Sequence, residues 1–456
     1  MDFSVSDVNK VLGKLKNLEN LKNQSQTFKN ISLDSRTILN HDLFIAIKGT
    51  NFNGHNFLKE VVKKGVKAVV IQEGMQKLLP DKFPFWIVSN TLEAFQKLVL
   101  FKRRKLNIPV VGITGSVGKT TTKEMMGEVL KELGKIKLTK FNFNNEIGAG
   151  LTILEADLKD RLIILEMGMR GPGQIENLSK FSEPDIAVIT NIGTSHIGIL
   201  GSKENITHAK CEITKHLNPN GVVIIPGNDY FLEETLKKNW NGRIIKVELL
   251  DIYQKTKTIK KNILRGFFNR SNNSIIIEDK LFEISFQGFH NALNFLFVYA
   301  VAKEFGIQFK NTNKLDFVSL NGRNKILKLK KTTVYDETYN ASPESVKACI
   351  ENLLDNPNNH FFIFGSMQEL GTNSKKYHKE IFDFINKSKI KKCIFICNEE
   401  DEIYYANYLK KNTKFLFFNT INKVAETINR YTKFGDFILV KGSRLWQLER
   451  ILKSID

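Results

Sequence analysis

Long apolar runs are missing from this chain. Apolar runs such as Leu162-Ile-Ile-Leu165 and Phe361-Phe-Ile-Phe364 are strand-sized. They fall far short of the ~20 residues a bilayer span needs, so no membrane insertion is expected. Cysteine is scarce, with four in 456 residues. That excludes a disulfide scaffold and fits a reducing, cytoplasmic setting. Cys393 and Cys397 share one strand-like run, and their spacing is not that of a zinc pair, so a buried structural role is expected. The opening Met1-Asp2-Phe3-Ser4 lacks a basic segment followed by an apolar one, so no secretory signal is expected. Nucleic-acid-binding motifs are missing too, and no aromatic cluster accompanies the lysines. The net charge of +20 is therefore not read as a nucleic-acid footprint. Pairs such as Lys63-Lys64 and Lys237-Lys238 read as solvated helix faces.

What is present is an ordinary globular mixture, 42% hydrophobic and 25% charged. At roughly 150 residues per domain the length suits three domains. Short β-branched or aromatic runs alternate with helical stretches, which predicts an α/β fold with mainly parallel or mixed sheets. The first unit, residues 1–101, has strand candidates at Leu43-Phe-Ile-Ala-Ile47, Ala68-Val-Val-Ile71 and Phe85-Trp-Ile-Val88. The basic stretch Lys102-Arg-Arg-Lys105 reads as the approach to a second unit, residues 102–314. Its strand candidates are Pro109 to Ile113, Leu162 to Leu165, Ile186 to Ile189 and Val222 to Ile225. An irregular region from Lys255 to Asp279 is expected to hold hairpins, followed by a helix from Asn291 to Phe305 and a linker at Lys310-Asn-Thr-Asn-Lys314. The last unit, residues 315–456, has strands at Phe361, Cys393, Phe415 and Phe437.

The strongest local signal is Gly112-Ile-Thr114-Gly115-Ser116-Val117-Gly118-Lys119-Thr120-Thr121-Thr122. A strand enters a glycine-rich turn and a helix begins at Lys119. Backbone N–H groups and the helix N-terminus then cradle phosphate oxygens, Lys119 reaches the β/γ phosphates, and Thr120 or Thr121 can ligate Mg2+. Ile113 stands where the strict pattern wants glycine, but the strand–turn–helix context is intact. Glu166 ends a neighbouring strand, and Thr190-Asn191 ends another that leads to His196. A carboxylate and an imidazole at strand ends beside a phosphate loop could hold Mg2+ against a nucleotide.

Several separated segments together resemble the Mur ligase family. They are the phosphate loop, Asn142-Phe-Asn-Asn145-Glu-Ile-Gly148, Glu166, Thr190-Asn191-Ile-Gly193 through His196, and Ala209-Lys210-Cys-Glu-Ile213. His290-Asn291 with Asn294, and Gly322-Arg323, extend the match in the family's order along nearly the whole chain. Asp34-Ser35-Arg36, with Phe44-Ile-Ala46 and Gly54-His55, is similar to the family's uridine-diphosphate-binding N-terminal module. Asp336-Glu-Thr-Tyr339-Asn340-Ala-Ser-Pro343, Gly365 to Gly371 and Lys441-Gly-Ser-Arg444 resemble the member that adds D-alanyl-D-alanine. Glu337, Ser342, Ser366, Pro226 and Gly150 depart from the family pattern and leave the metal and phosphate residues unchanged.

The resemblance implies a central P-loop ATPase-like domain, a C-terminal Rossmann-like domain, and a monomer. It implies ATP and Mg2+ as cofactors, with UDP-N-acetylmuramoyl-tripeptide and D-alanyl-D-alanine as substrates. Thr114 to Thr120, Asn291 and Arg323 would face the nucleotide. Thr120, Thr121, Glu166, His196 and a carbamylated Lys210 would face the metal. Ser35, Arg36, Asn145, Tyr339, Asn340, Lys441 and Arg444 would face the substrates, with Lys119, Lys210, His196 and Asn340 carrying the chemistry. Read from its neighbours alone, Lys210 would be an exposed helix lysine. The rivals are a nucleic-acid ATPase, which lacks its aromatic groove here, the neighbouring tripeptide-forming ligase, and a folate polyglutamate ligase, which would not carry the Asp34-Ser-Arg36 module.

Overall fold

The computed structural model describes residues 2–17, 19, 26–49, 52–254, 263–409 and 412–455. Its apolar runs become the strands of three main sheets. The first has four parallel strands in chain order: Ile31–Ser32, Leu43–Ile45, Val69–Gln72 and Phe85–Val88. A separate antiparallel pair joins Phe3–Ser4 to Thr27–Phe28.

The central sheet has ten strands. Its parallel heart runs, in spatial order, Val222–Pro226, Ile186–Ile189, Val110–Thr114, Asp160–Glu166 and Lys135–Leu138. Val110 to Thr114 are buried throughout, as expected of a parallel strand covered on both faces. The far side continues through Arg243–Asp251 and the antiparallel run Ile263–Asn269, Ser274–Ile277 and Lys280–Ile284. The first of these hairpins lies in the region expected to hold them, Lys255 to Asp279, and the second runs past it to Ile284; residues 255–262 of that region lie outside the described residues. The expected linker at 310–314 instead enters an edge strand, Thr312–Leu315, parallel to Lys280–Ile284. Only alternate residues of that strand are half-buried, so its outward polar side gives it a linker's composition.

The third sheet has six strands: Lys325–Lys328, Thr333–Glu337, Phe437–Lys441, His360–Gly365, Ile390–Ile396 and Phe415–Phe418. It is parallel except at its first pair. The helix expected at Asn291 to Phe305 spans Phe289–Glu304. The divisions placed at 101/102 and 314/315 fall inside the helix Thr91–Leu106 and the strand Thr312–Leu315. Among the described residues no helix is long and apolar enough to cross a membrane, and the four cysteines are buried and free.

The basic stretch Lys102 to Lys105 has a structural use. Asn90 caps its helix by accepting from Leu92 and Glu93 N–H, and Asn107 ends it in the left-handed region. The buried Arg103 guanidinium donates to Ser182 O, Glu183 O and Asp185 Oδ2. Asp185 Oδ2 also accepts from Val110 N–H, so one ion pair sets where the strand Val110–Thr114 begins. Lys105 reaches Asp7 at 3.0 Å. Arg103→Met is expected to lower stability by about 2–4 kcal/mol, because Asp185 loses its cation in a partly buried site. Arg104→Met, where the arginine side chain is 64% exposed and pairs with Glu183, is expected to cost less than about 1 kcal/mol. Urea titration of both variants checks this, and equal losses would contradict the role given to the Arg103–Asp185 pair.

Candidate active site

The central and third sheets turn the carboxyl ends of their strands toward each other, and a cleft of about 700 Å3 opens between them. Such strand ends are where open α/β sheets bind ligands. Val110–Thr114 sits between Ile186–Ile189 and Asp160–Glu166, where the chain passes from one side of the sheet to the other.

The phosphate loop lies at that point. Gly118 adopts φ +84 as the N-cap of the helix Lys119–Leu130. Gly115 adopts φ +147, and a Cβ there would stand 1.9 Å from Thr190 Oγ1. Ser116 and Val117 N–H groups donate to Asn191 Oδ1 at 3.0 Å, which ties the loop to the next strand end. Lys119 is only half-buried as a residue, yet its ammonium is turned inward, donating to Gly115 O at 2.7 Å. Burial holds its pKa below the usual lysine value, the nearby Arg323 charge adds to this, and Glu166 opposes it. An ammonium so placed gains from an anionic ligand.

Glu166 is buried at the end of its strand. Its Oε2 accepts from Thr120 Oγ1 at 2.8 Å and its Oε1 from Asn144 Nδ2 at 2.9 Å. Thr121 Oγ1 accepts instead from Asn324 Nδ2, on the chain entering the third sheet, at 3.4 Å. His196 stands in the left-handed region at φ +65. Burial depresses its pKa, and the nearest carboxylate, Glu369, opposes the shift. Its Nδ1 is 2.5 Å from Glu369 Oε2, a close charge contact without hydrogen-bond alignment. Lys210 is 2% exposed on the helix Lys203–Cys211, which corrects the exposed lysine that its neighbours suggested. Burial, with Lys119 adding repulsion, pushes its pKa well below the usual value.

The opposite wall comes from the third sheet and the chain entering it. The Arg323 guanidinium lies 3.7 Å from the Tyr339 ring centroid. The buried Lys441 donates to Asn340 O at 3.0 Å and faces Glu337 Oε2 at 3.9 Å. Burial raises the Glu337 pKa against the pull of Lys441. Asn291 donates to Asn324 Oδ1 at 2.8 Å, while its own Oδ1 is buried without a partner. His290 beside it is held neutral, its pKa lowered to about 4 by burial with Lys441 adding. Asn145 lines the cleft and caps the helix Glu146–Glu155 through Gly148 N–H.

Not every expected residue is gathered here. Thr114 lies buried behind the loop and does not line the cleft. Arg444 is exposed and pairs with Glu449 at 2.8 Å. Ser35 and Arg36 sit on the first sheet's unit, where Lys64 donates to Ser35 O at 2.6 Å and Arg36 holds the Asp34 carboxyl down at about 2. Conversely, sequence reasoning assigned no individual role to Lys123 or Glu344, and Asn144 and Glu369 stood only inside longer motifs. Lys123 is wholly buried and donates to Thr139 O and Phe141 O. It falls one helical turn after Lys119, a spacing that marked it only weakly. Glu344 crosses between sheets, accepting from Thr194 N–H and Oγ1 at 2.9 and 3.0 Å, and no local pattern shows that.

A phosphate loop on one parallel sheet, closed by basic residues from a second, defines a nucleotide-dependent α/β enzyme class. Three family models match: "Mur ligase family, catalytic domain" over residues 27–119, "Mur ligase middle domain" over 113–302, and "Mur ligase, glutamate ligase domain" over 322–444. A UDP-N-acetylmuramoyl-tripeptide–D-alanyl-D-alanine ligase of Synechocystis is 35% identical over 355 residues, 77% of this chain and 75% of that protein. The Bacillus subtilis ligase of the same name is 32% identical over 451 residues, 96% and 95% of the two chains. A crystal structure of a MurF ligase from Thermotoga maritima in complex with ADP superposes with a TM-score of 0.80 at 28% identity, covering 93% of this chain and 96% of that one. The chain belongs to the Mur ligase family.

Gly115→Ala is expected to weaken ADP binding about tenfold or more, since the added Cβ carries roughly 1–3 kcal/mol of strain into the loop. Calorimetric titration with ADP measures it. Unchanged affinity would move the nucleotide site elsewhere.

Proposed function

We propose that this chain is an ATP-dependent ligase that joins D-alanyl-D-alanine to UDP-N-acetylmuramoyl-tripeptide in cytoplasmic peptidoglycan precursor synthesis, acting as a monomer without nucleic acid. The observation that carries the reading is that one cleft holds both a phosphate loop and the Tyr339-Asn340 and Lys441 wall. The similarity to ligases of that name supports the substrate pair.

A carboxylate and a triphosphate repel each other, so the cleft must first suppress charge. Lys119 and Arg323 meet phosphate charge on either side. The tripeptide carboxylate oxygen attacks the γ-phosphorus, the bond to the bridging oxygen breaks, and ADP leaves, giving an acyl phosphate. The D-alanyl-D-alanine amine then attacks the acyl carbon and loses a proton, and phosphate departs with the former carboxylate oxygen. Lys441, fixed on Asn340 O, supplies positive charge beside the acyl side. Positioning and electrostatics of this kind are the main terms in phosphoryl transfer. Closing the third sheet over the cleft keeps water from the acyl phosphate.

The residues present suit Mg2+. Thr120 and Glu166 place two hard oxygen donors 2.8 Å apart, and the His196 imidazole lines the same cleft. Thr120, Glu166 and His196 would hold the ion, with Lys210 contributing once carbamylated. When bound, Mg2+ neutralises phosphate charge. The depressed pKa of Lys210 favours that modification, because only the neutral amine adds to CO2.

Phosphate release tests the substrate pair. It is expected with ATP, UDP-linked tripeptide and D-alanyl-D-alanine, and little of it with UDP-linked dipeptide and a free diamino acid; the reverse preference would assign the chain to the neighbouring ligase. Lys119→Ala is expected to abolish turnover while leaving the circular-dichroism spectrum unchanged, and wild-type turnover would overturn the loop's role. Lys210→Ala is expected to lose most activity and to recover part of it when acetate fills the vacated anion position. Full activity in the unsupplemented variant would contradict the carbamate.

A further inference from the structure

Two segments with strained backbones meet across the cleft. On the central sheet's side, His196 holds φ +65, and on the third sheet's side Glu369 holds φ +62. Both lie in the left-handed region, uncommon for residues with a side chain and found where surrounding structure over-determines it. The Gly198 N–H donates to Glu369 O at 3.0 Å, and the Glu369 carboxylate reaches His196 Nδ1 at 2.5 Å. The backbones approach so closely that a Cβ on Gly198 would lie 2.5 Å from Gly371 N. Gly198 has no left-handed φ of its own, so its smallness answers to the partner segment. Glu344 braces the same loop at Thr194.

We propose that Glu369 is a positioning residue for His196, delivered from the third sheet when that sheet closes on the cleft. A carboxylate held against one ring nitrogen restricts the imidazole's angle and leaves Nε2 for a cation. The strained turn at Glu369 is explained by this, since it aims one side chain at one atom. The central unit alone carries the phosphate loop, Glu166 and His196, but not the carboxylate that orients His196. Firm metal binding therefore waits on closure, and an open enzyme holds nucleotide with a loosely oriented ligand. That ordering suppresses ATP turnover before the acceptor side is in place.

The inference rests on the proposed ATP and Mg2+ reading, and its test uses neither peptide nor amine. Mn2+ binding to the whole protein is measured by electron paramagnetic resonance with a non-hydrolysable ATP analogue present, alongside analogue affinity in metal-free buffer. Glu369→Ala is expected to weaken Mn2+ about tenfold or more, the usual effect of removing such an outer partner, with metal-free analogue affinity unchanged. Glu369→Gln, which keeps an oxygen near Nδ1, is expected to fall between wild type and Ala. Gly198→Ala keeps every polar group but forces the segments apart, and is expected to reproduce the Glu369→Ala loss. Wild-type Mn2+ affinity in both Glu369→Ala and Gly198→Ala would overturn the positioning role. Absence of Mn2+–analogue binding in the wild type would instead overturn the ATP and Mg2+ reading beneath it.

Discussion

The carboxylate of Glu166 ties together segments that are far apart in sequence, and most of the cleft's shape follows from its needs. A buried carboxylate must be hydrogen-bonded and charge-compensated. Thr120 on the phosphate-loop helix and Asn144 on the following loop supply the hydrogen bonds, while Thr139 Oγ1 accepts from the Glu166 backbone N–H. Lys123, 4.0 Å away and wholly buried, supplies the cation. Because Lys123 also donates to Thr139 O and Phe141 O, the loop carrying Asn144 is tied to the helix that carries Lys119 and Thr120. The orientation of the phosphate loop, the adjacent strand and the Asn-rich loop is thus one linked arrangement.

Around this hub the cleft concentrates positive charge that its own carboxylates only partly answer. Burial depresses the pKa of Lys119, with the Arg323 charge adding to it, and burial depresses that of Lys210, with Lys119 adding to it. Lys441 and Arg323 enter from the opposite wall. Multiply charged anionic substrates relieve that repulsion, so binding and the suppression of charge in the reaction draw on one field. The third sheet's carboxylates play a different part. Glu344 and Glu369 reach across to the loop around Thr194 and His196, so the two sheets meet there through hydrogen bonds and a close charge contact.

Much of this was legible in the residues. The parallel strands of the central and third sheets are short β-branched and aromatic runs bounded by helices, and the phosphate loop declares itself by glycines before Lys119-Thr120. Glu166 and His196 were found because both end or follow such strands. Elements with mixed composition were not legible: the edge strand Thr312–Leu315 shows a polar side to solvent and reads as a linker. Lys210 and Lys123 look like surface lysines because one sequence carries no sign of which helix face a sheet will cover. Arg444 matched a family segment, yet its exposed side chain pairs with Glu449. Contacts between sheets, such as Glu344 with Thr194, depend on how whole units meet and leave no local pattern.

The central claim is that this cleft activates a carboxylate by transferring a phosphoryl group to it. Following a heavy-oxygen label from the UDP-linked tripeptide's terminal carboxylate through one round of ligation tests that claim directly. Mass spectrometry of the released phosphate is predicted to show one labelled oxygen per phosphate formed, with the other retained in the new amide. Unlabelled phosphate accompanying a full yield of ligated product would contradict the account.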